Sequence, residues 1–196
     1  MKSKDKKVLL VGAGAVGILA LAVYAFNRSA ARLPPLPRSS PKMMVIALAA
    51  FAAIGLLAVW FPAIMGDGKA GNQLRFAGAI GWHEGLALFA AKWLAVLLAM
   101  LGGAYGGRIT PSMMLGGMLA LTLAIAWNSG LPPVSIGAAA FIGAAVFLGL
   151  AQKMVLTAMV FMLELSRLST AYWLPLCLCM GSALLVWTCL QARRPD

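Results

Sequence analysis

Charge is what this 196-residue sequence has least of: only 11% of it is charged, and only five residues are acidic. A soluble domain is about a quarter charged and about half apolar. This chain is 62% apolar, with a mean hydropathy of +0.92. These departures exclude a soluble globule. They also exclude a disordered tail, which requires low hydrophobicity and high charge. There is a single histidine, and neither a His/Cys/carboxylate cluster nor a Ser/His/Asp set can be read. Metal chemistry and enzyme catalysis therefore have no visible basis, and no cofactor is expected. The three cysteines, Cys177, Cys179 and Cys189, form no CxxC and share one apolar run. There they read as soft hydrophobes.

What remains is a multi-pass integral membrane protein of the all-α class. Its length allows about six to eight embedded helices of roughly 20 residues. The net charge is +11, from 16 Lys+Arg against the five acids. The basic residues do not form an aromatic-studded face, so nucleic acid is not a partner. They fall at Lys2, Lys4, Lys6 and Lys7, at Arg28, Arg32, Arg38 and Lys42, then singly, and at Arg193 and Arg194. Loops and ends of a membrane protein that face anionic lipid have this pattern.

Residues 1–7 are a basic flank, and the membrane domain is expected over 8–190, with a short tail at 191–196. Val8 to Phe26 is uncharged and just long enough to span. It reads as a retained first helix rather than a signal peptide, because its apolar stretch is long and no clear cleavage site follows. A basic Pro-rich linker occupies 27–42, and Asn27 to Pro41 holds four prolines and three arginines. Met43 to Met65 is a second span. A glycine-rich break and a short segment near Leu74 to Ile80 follow. Helices are then expected over Trp82–Leu101, Ser112–Trp127, Ser135–Leu150, Lys153–Leu165 and Tyr172–Leu190, about eight in all. Several are too short to span alone, and glycine-rich breaks separate them. Irregular backbone at membrane depth is tolerated only where it is buried or lines an aqueous cavity. Broken helices that hold an ion near the midplane are a transport device.

Two glycine motifs compete for attention. Gly12-Ala13-Gly14-Ala15-Val16-Gly17 matches GxGxxG, a dinucleotide fingerprint. It lacks the acidic residue expected about 20 positions later, where Leu33 to Arg38 is Pro-rich, and the helix after it has no polar face. Ala13 and Gly17 instead read as small residues for close helix packing. The second motif is Gly102-Gly103-Ala104-Tyr105-Gly106-Gly107-Arg108-Ile109-Thr110-Pro111. Glycines let backbone amides approach a ligand, and Pro111 suits the first turn of a helix. A helix start offers free N–H groups and partial positive charge, so it can hold an anion without a full fixed charge. The same glycines would also suit a break that only permits tight packing, and composition does not choose.

GGAYGGRITPSMMLGG resembles the segment of the chloride channel and proton–chloride antiporter (CLC) family that carries its GxFxP motif. Trp60-Phe61-Pro62-Ala63 before Gly66-Asp67-Gly68, Lys92, Leu156-Thr157, Leu163-Glu164-Leu165 and Pro175 resemble other family landmarks in order. The likeness runs from about Val8 to Leu190, and to the second of the two inverted halves only. It implies an anion held at Gly106, Gly107, Arg108, Ile109, Thr110 and Pro111, with the N–H groups of Arg108 and Ile109 pointing at it. Ile109 replaces the family Phe. Arg108 stands where the family is usually apolar, and either concentrates anions or snorkels to an interface. The first half's GSGIP-like loop and its G-[KR]-E-G-P gate loop do not occur in the sequence. A later tyrosine contact and a regulatory domain are likewise not expected from it.

The resemblance implies chloride transport in a cell membrane by a half-fold. Its partners would be the bilayer and either a second copy, joined through 153–190, or a separate first-half chain. The competing reading is a non-transporting remnant or accessory membrane subunit. Glu164 is either an intramembrane functional acid or a helix-end partner of Arg167, with the second favoured. Trp82, His83 and Glu84 read as an interfacial belt rather than a proton relay. The basic clusters before and after the first helix conflict over its orientation.

Overall fold

The structure, a computed structural model, describes residues 3–34, 41–65, 81–104, 108–166 and 172–192, with side chains of the first helix from Gly14 onward. Among these residues are seven α-helices, one 3-10 turn and no strand. The helices are α1 (Ser3–Ala31), α2 (Pro41–Trp60), α3 (Trp82–Leu101), α4 (Ile109–Asn128), α5 (Ile136–Ala151), α6 (Val155–Ser166) and α7 (Trp173–Ala192), and the turn is Pro62–Ile64. The helical membrane class is as expected. The short segment at Leu74 to Ile80 lies outside the described residues. Five helices are long and apolar enough to cross a bilayer: α1 from Gly14, α2, α3, α4 and α7.

Several boundaries differ from the sequence reading, each for a local reason. α1 extends to Ala31 rather than ending at Phe26. Ser29 Oγ donates back to the Ala25 carbonyl at 2.8 Å, and Arg28 in the last turn suits the negative helix end. The linker is therefore shorter than 27–42, and its Pro41 already begins α2, where proline lacks only an N–H the helix would not use. α2 stops at Trp60, not Met65, because Pro62 turns the chain into the 3-10 turn. α6 starts at Val155 rather than Lys153. Lys153 holds φ 57°, the left-handed position of a Schellman cap, and Met154 N–H donates to the Gly149 carbonyl at 3.0 Å.

Successive helices alternate in direction. Ala47 and Ala50 of α2 lie against Gly102, which follows α3, and Gly85 near the start of α3 abuts Thr122 near the end of α4. The ring of Phe26 meets Trp93 at 5.4 Å and Phe147 at 5.8 Å, and Tyr24 meets Trp187 at 6.2 Å. One end of the bundle thus gathers the C-termini of α1, α3, α5 and α7 with the N-termini of α2, α4 and α6.

α5 is the hub. It touches α1, α4, α6 and α7, and its interface with α4 is the most extensive among the described helices. Phe141 and the run Gly143–Leu150 are buried. At 16 residues it is only about 24 Å long, short for a span, yet protein surrounds it. Asn128 fixes its entry by accepting from Val134 N–H at 2.8 Å and donating to the Val134 carbonyl at 3.0 Å. Ser135 caps the helix through Ala138 N–H. α2 is the opposite case. Only Ala50 is buried, while Met44, Val45, Leu48, Leu56, Val59 and Trp60 are exposed, as lipid-facing side chains are.

α4 and α5 cross at Gly116 and Gly143. A Cβ at Gly116 would overlap the Gly143 carbonyl and the Phe147 Cβ; one at Gly143 would overlap the Ala120 Cβ and the Gly116 carbonyl. This is small-residue packing that lets backbones touch. The packing role expected of Gly17 is not found. A Cβ there, or at Gly14, would meet nothing within 4 Å. α1 packs instead through Val16, Leu19, Ala20, Val23 and Phe26, and GxGxxG is merely a stretch of that helix. We expect Gly143→Ala to cost about 1–3 kcal/mol by overpacking and to lower the melting temperature in detergent. Gly17→Ala should leave it unchanged or slightly raised.

Candidate functional site

The start of α4 is built by the two helices around it. α3 closes in a Schellman cap, with Gly103 at φ 78°, Gly103 N–H on the Met100 carbonyl at 3.1 Å and Ala104 N–H on the Ala99 carbonyl at 2.9 Å. Gly103 sits against Met43 of α2. Gly106 and Gly107 lie outside the described residues, as does Tyr105. The chain is described again at Arg108, the N-cap, whose φ −77° and ψ −4° are not the extended backbone of an ordinary cap. No side chain caps the helix. Ile109 and Thr110 have no carbonyl four residues back within the helix, so α4 itself leaves their N–H groups unused, and Pro111 has none to offer. The first bond is Ser112 N–H to the Arg108 carbonyl, 3.1 Å. Pro111 is therefore the third helical residue, and α4 begins three residues before the Ser112 read from sequence.

Behind this start the structure is closed. Ser112 is buried, and its Oγ accepts from Gln152 Nε2 at 3.0 Å, tying α4 to the C-cap of α5. In front it is open. Arg108 is exposed, Ile109 is 40% exposed, and Thr110 and Pro111 are half-buried. Thr110 also lines a cavity of about 280 Å³ between α4, α5 and the last turn of α6, walled by Met113, Met114, Phe141 and Met162. The site offers amide donors, the positive end of a 20-residue helix and an exposed guanidinium, beside apolar walls. That set suits a small, weakly hydrated monovalent anion.

The other residues singled out in the sequence lie elsewhere. Trp82, His83 and Glu84 are exposed at the start of α3, at the opposite end of the bundle from Arg108. The Trp82 and His83 ring centroids lie 3.4 Å apart, with the planes tilted by 32°. Glu164 is exposed in the last turn of α6, and Arg167 lies outside the described residues. Cys177, Cys179 and Cys189 are free thiols spread along α7.

Lys92 is the residue whose role the sequence hid. It is 92% buried in the middle of α3, and its Nζ donates to the Ile64 carbonyl at 2.7 Å across 28 residues. An ammonium on an apolar helix signals some acceptor, since an unpaired charge there is costly. The sequence could not point to the open carbonyl of the 3-10 turn.

A family model, voltage gated chloride channel, matches residues 5–188. The chain belongs to this family. No curated protein and no solved structure compared with the chain matches it. Membership brings chloride transport at the level of the family. With five helices able to cross a bilayer, the chain is a multi-pass membrane protein.

Lys92→Met keeps the helix but leaves the buried Ile64 carbonyl without its ammonium donor. We expect a loss of about 1–3 kcal/mol, read as a lower melting temperature, with faster hydrogen exchange over residues 61–65.

Proposed function

We propose that this chain supplies one half of a chloride path, holding the anion on the N–H groups at the start of α4. Gly106, Gly107, Arg108, Ile109, Thr110 and Pro111 form the contact segment, and Arg108 draws anions toward it. The observation that carries this reading is the start without a side-chain cap: N–H groups of Ile109 and Thr110 that α4 itself does not use, beside an exposed arginine. Partial charges bind a halide loosely enough to release it, as conduction requires. The role needs no catalytic group and no cofactor, and the membrane is a cell membrane. The second half of the path comes from another copy or from a separate first-half chain.

Arg108→Asp separates fold from transport. A carboxylate at the N-cap can accept from the Thr110 N–H, so α4 is kept or stabilised by about 1 kcal/mol, while the protein's own anion occupies the site. In chloride-loaded liposomes the wild-type chain should release chloride. Arg108→Asp should be at least about tenfold slower, given the roughly 1.4 kcal/mol that tenfold represents, and Arg108→Gln should lie between. Efflux from Arg108→Asp at the wild-type rate would remove the anion from this site. No efflux from wild type, with the protein folded and inserted, would exclude a path made by copies of this chain alone and would turn the search to a separate first-half chain.

Self-association has a surface to use. Leu156 of α6 and Leu174, Leu178 and Leu185 of α7 are each at least 65% exposed. With the native cysteines replaced, cysteines at these positions should crosslink between chains in the membrane. Silence at all four would exclude a dimer through 153–190.

A further inference from the structure

Beside the start of α4 lies a cavity that the chloride path does not use. It holds about 280 Å³ and is cut between α4, α5 and the last turn of α6. On α4 its lining residues are Thr110, Met113, Met114 and Gly117. That spacing of i, i+3, i+4 and i+7 is one helix face, followed for two turns or about 10 Å. The cavity is therefore a trough along α4, and it begins in the first turn of that helix. On α5 the residues at the trough are mostly small: Gly137, Ala140 and Ala144, with Phe141 among them. Even a Cβ at Gly117 would stand 3.4 Å from the Ala140 carbonyl and 3.7 Å from the Ala144 Cβ, in ordinary contact. Small side chains hollow the trough, and Met113, Met114 and Met162 wall it.

Apolar walls give water few partners, so the occupant that fits is a hydrocarbon chain. A trough of this volume takes one chain rather than the paired chains of a phospholipid. Any lipid tail suits such walls about equally, so the head group decides which amphiphile stays. At Thr110 the trough meets the positive end of α4, where the helix itself leaves the Thr110 N–H unused. Arg108 is exposed two residues earlier, and α4 has no acidic residue in its first turn. Ser166, the other hydroxyl in the lining, donates to the Leu163 carbonyl at 3.2 Å. Glu164 is exposed and does not line the trough. We propose that the trough binds a long-chain fatty acid, with its carboxylate at the start of α4 and its alkyl chain along Met113, Met114 and Gly117. This rests on the helix start being an anion site, and it makes the fatty acid a competitor of chloride there.

The test melts the full chain in uncharged detergent micelles, in chloride-free sulfate buffer, with dodecanoate, dodecanol or acetate. The dodecanoate titration is then repeated in chloride. A bound ligand raises the melting temperature in proportion to its occupancy of the folded state. We expect dodecanoate to raise it saturably, with dodecanol and acetate binding at least about tenfold more weakly. Chloride should raise the dodecanoate concentration that is needed. Ala140→Phe fills the trough away from the N–H groups, so it should abolish the effect of dodecanoate and keep that of chloride. Equal stabilisation by dodecanol and dodecanoate, no stabilisation by dodecanoate, or undiminished dodecanoate binding to Ala140→Phe overturns the proposal. Should Ala140→Phe fail to fold, dodecanoate carrying a diazirine at its far end decides on the wild type. Photolabelling within 113–117, 137–144 or 162–166 supports the trough, and labelling elsewhere overturns it. Trough binding untouched by chloride supports the fatty-acid site and counts against the chloride reading alone.

Discussion

Everything in this bundle is arranged around the contact of α4 with α5 at Gly116 and Gly143. Lipid tails are as apolar as any side chain, so helices in a bilayer gain little from hiding leucines from one another. They gain from close approach. Two glycines facing each other let the two backbones touch. With that crossing fixed, Ser112 comes within reach of Gln152, and the start of α4 is held with its back closed and its front open. The candidate anion site is thus a by-product of packing: no residue is spent on capping because neighbouring helices already hold α4 in place.

Much of this was legible in the sequence. The apolar composition and scarce acids read as a helical membrane protein, and α3 was bounded at Trp82 and Leu101 from the pattern alone. The helix start at the GGRITP segment was also legible, since Gly-rich chain followed by proline has few other uses. What was not legible depended on distant partners. Lys92 meets a carbonyl 28 positions away. The Gln152–Ser112 bond joins residues 40 apart. Gly17 looked like Gly116 in sequence, yet one faces open space and the other a neighbouring backbone. Only the rotation of each helix about its axis tells them apart, and an all-round apolar helix gives no periodicity from which to read it.

The boundary differences at the end of α1 and at the starts of α2 and α4 share one cause. Polar and proline-bearing stretches suggest loop, although a helix can carry them at its ends. Ser29 and Arg28 prolong α1 by satisfying the backbone and the dipole there. Lys153 did the reverse, adopting the left-handed conformation that glycine usually takes and ending α5 before α6 could begin.

The hub is also the helix least able to live in lipid by itself. α5 has 16 residues and α6 has 12, against the roughly 20 needed to cross the hydrocarbon core. A segment of that length has no stable place in a bilayer until longer helices surround it. The place of α5 in the membrane therefore depends on the longer helices that form a slot around it. A lesion in the slot would then act on the nascent chain, as failed insertion and rapid degradation, before it could act on any ion.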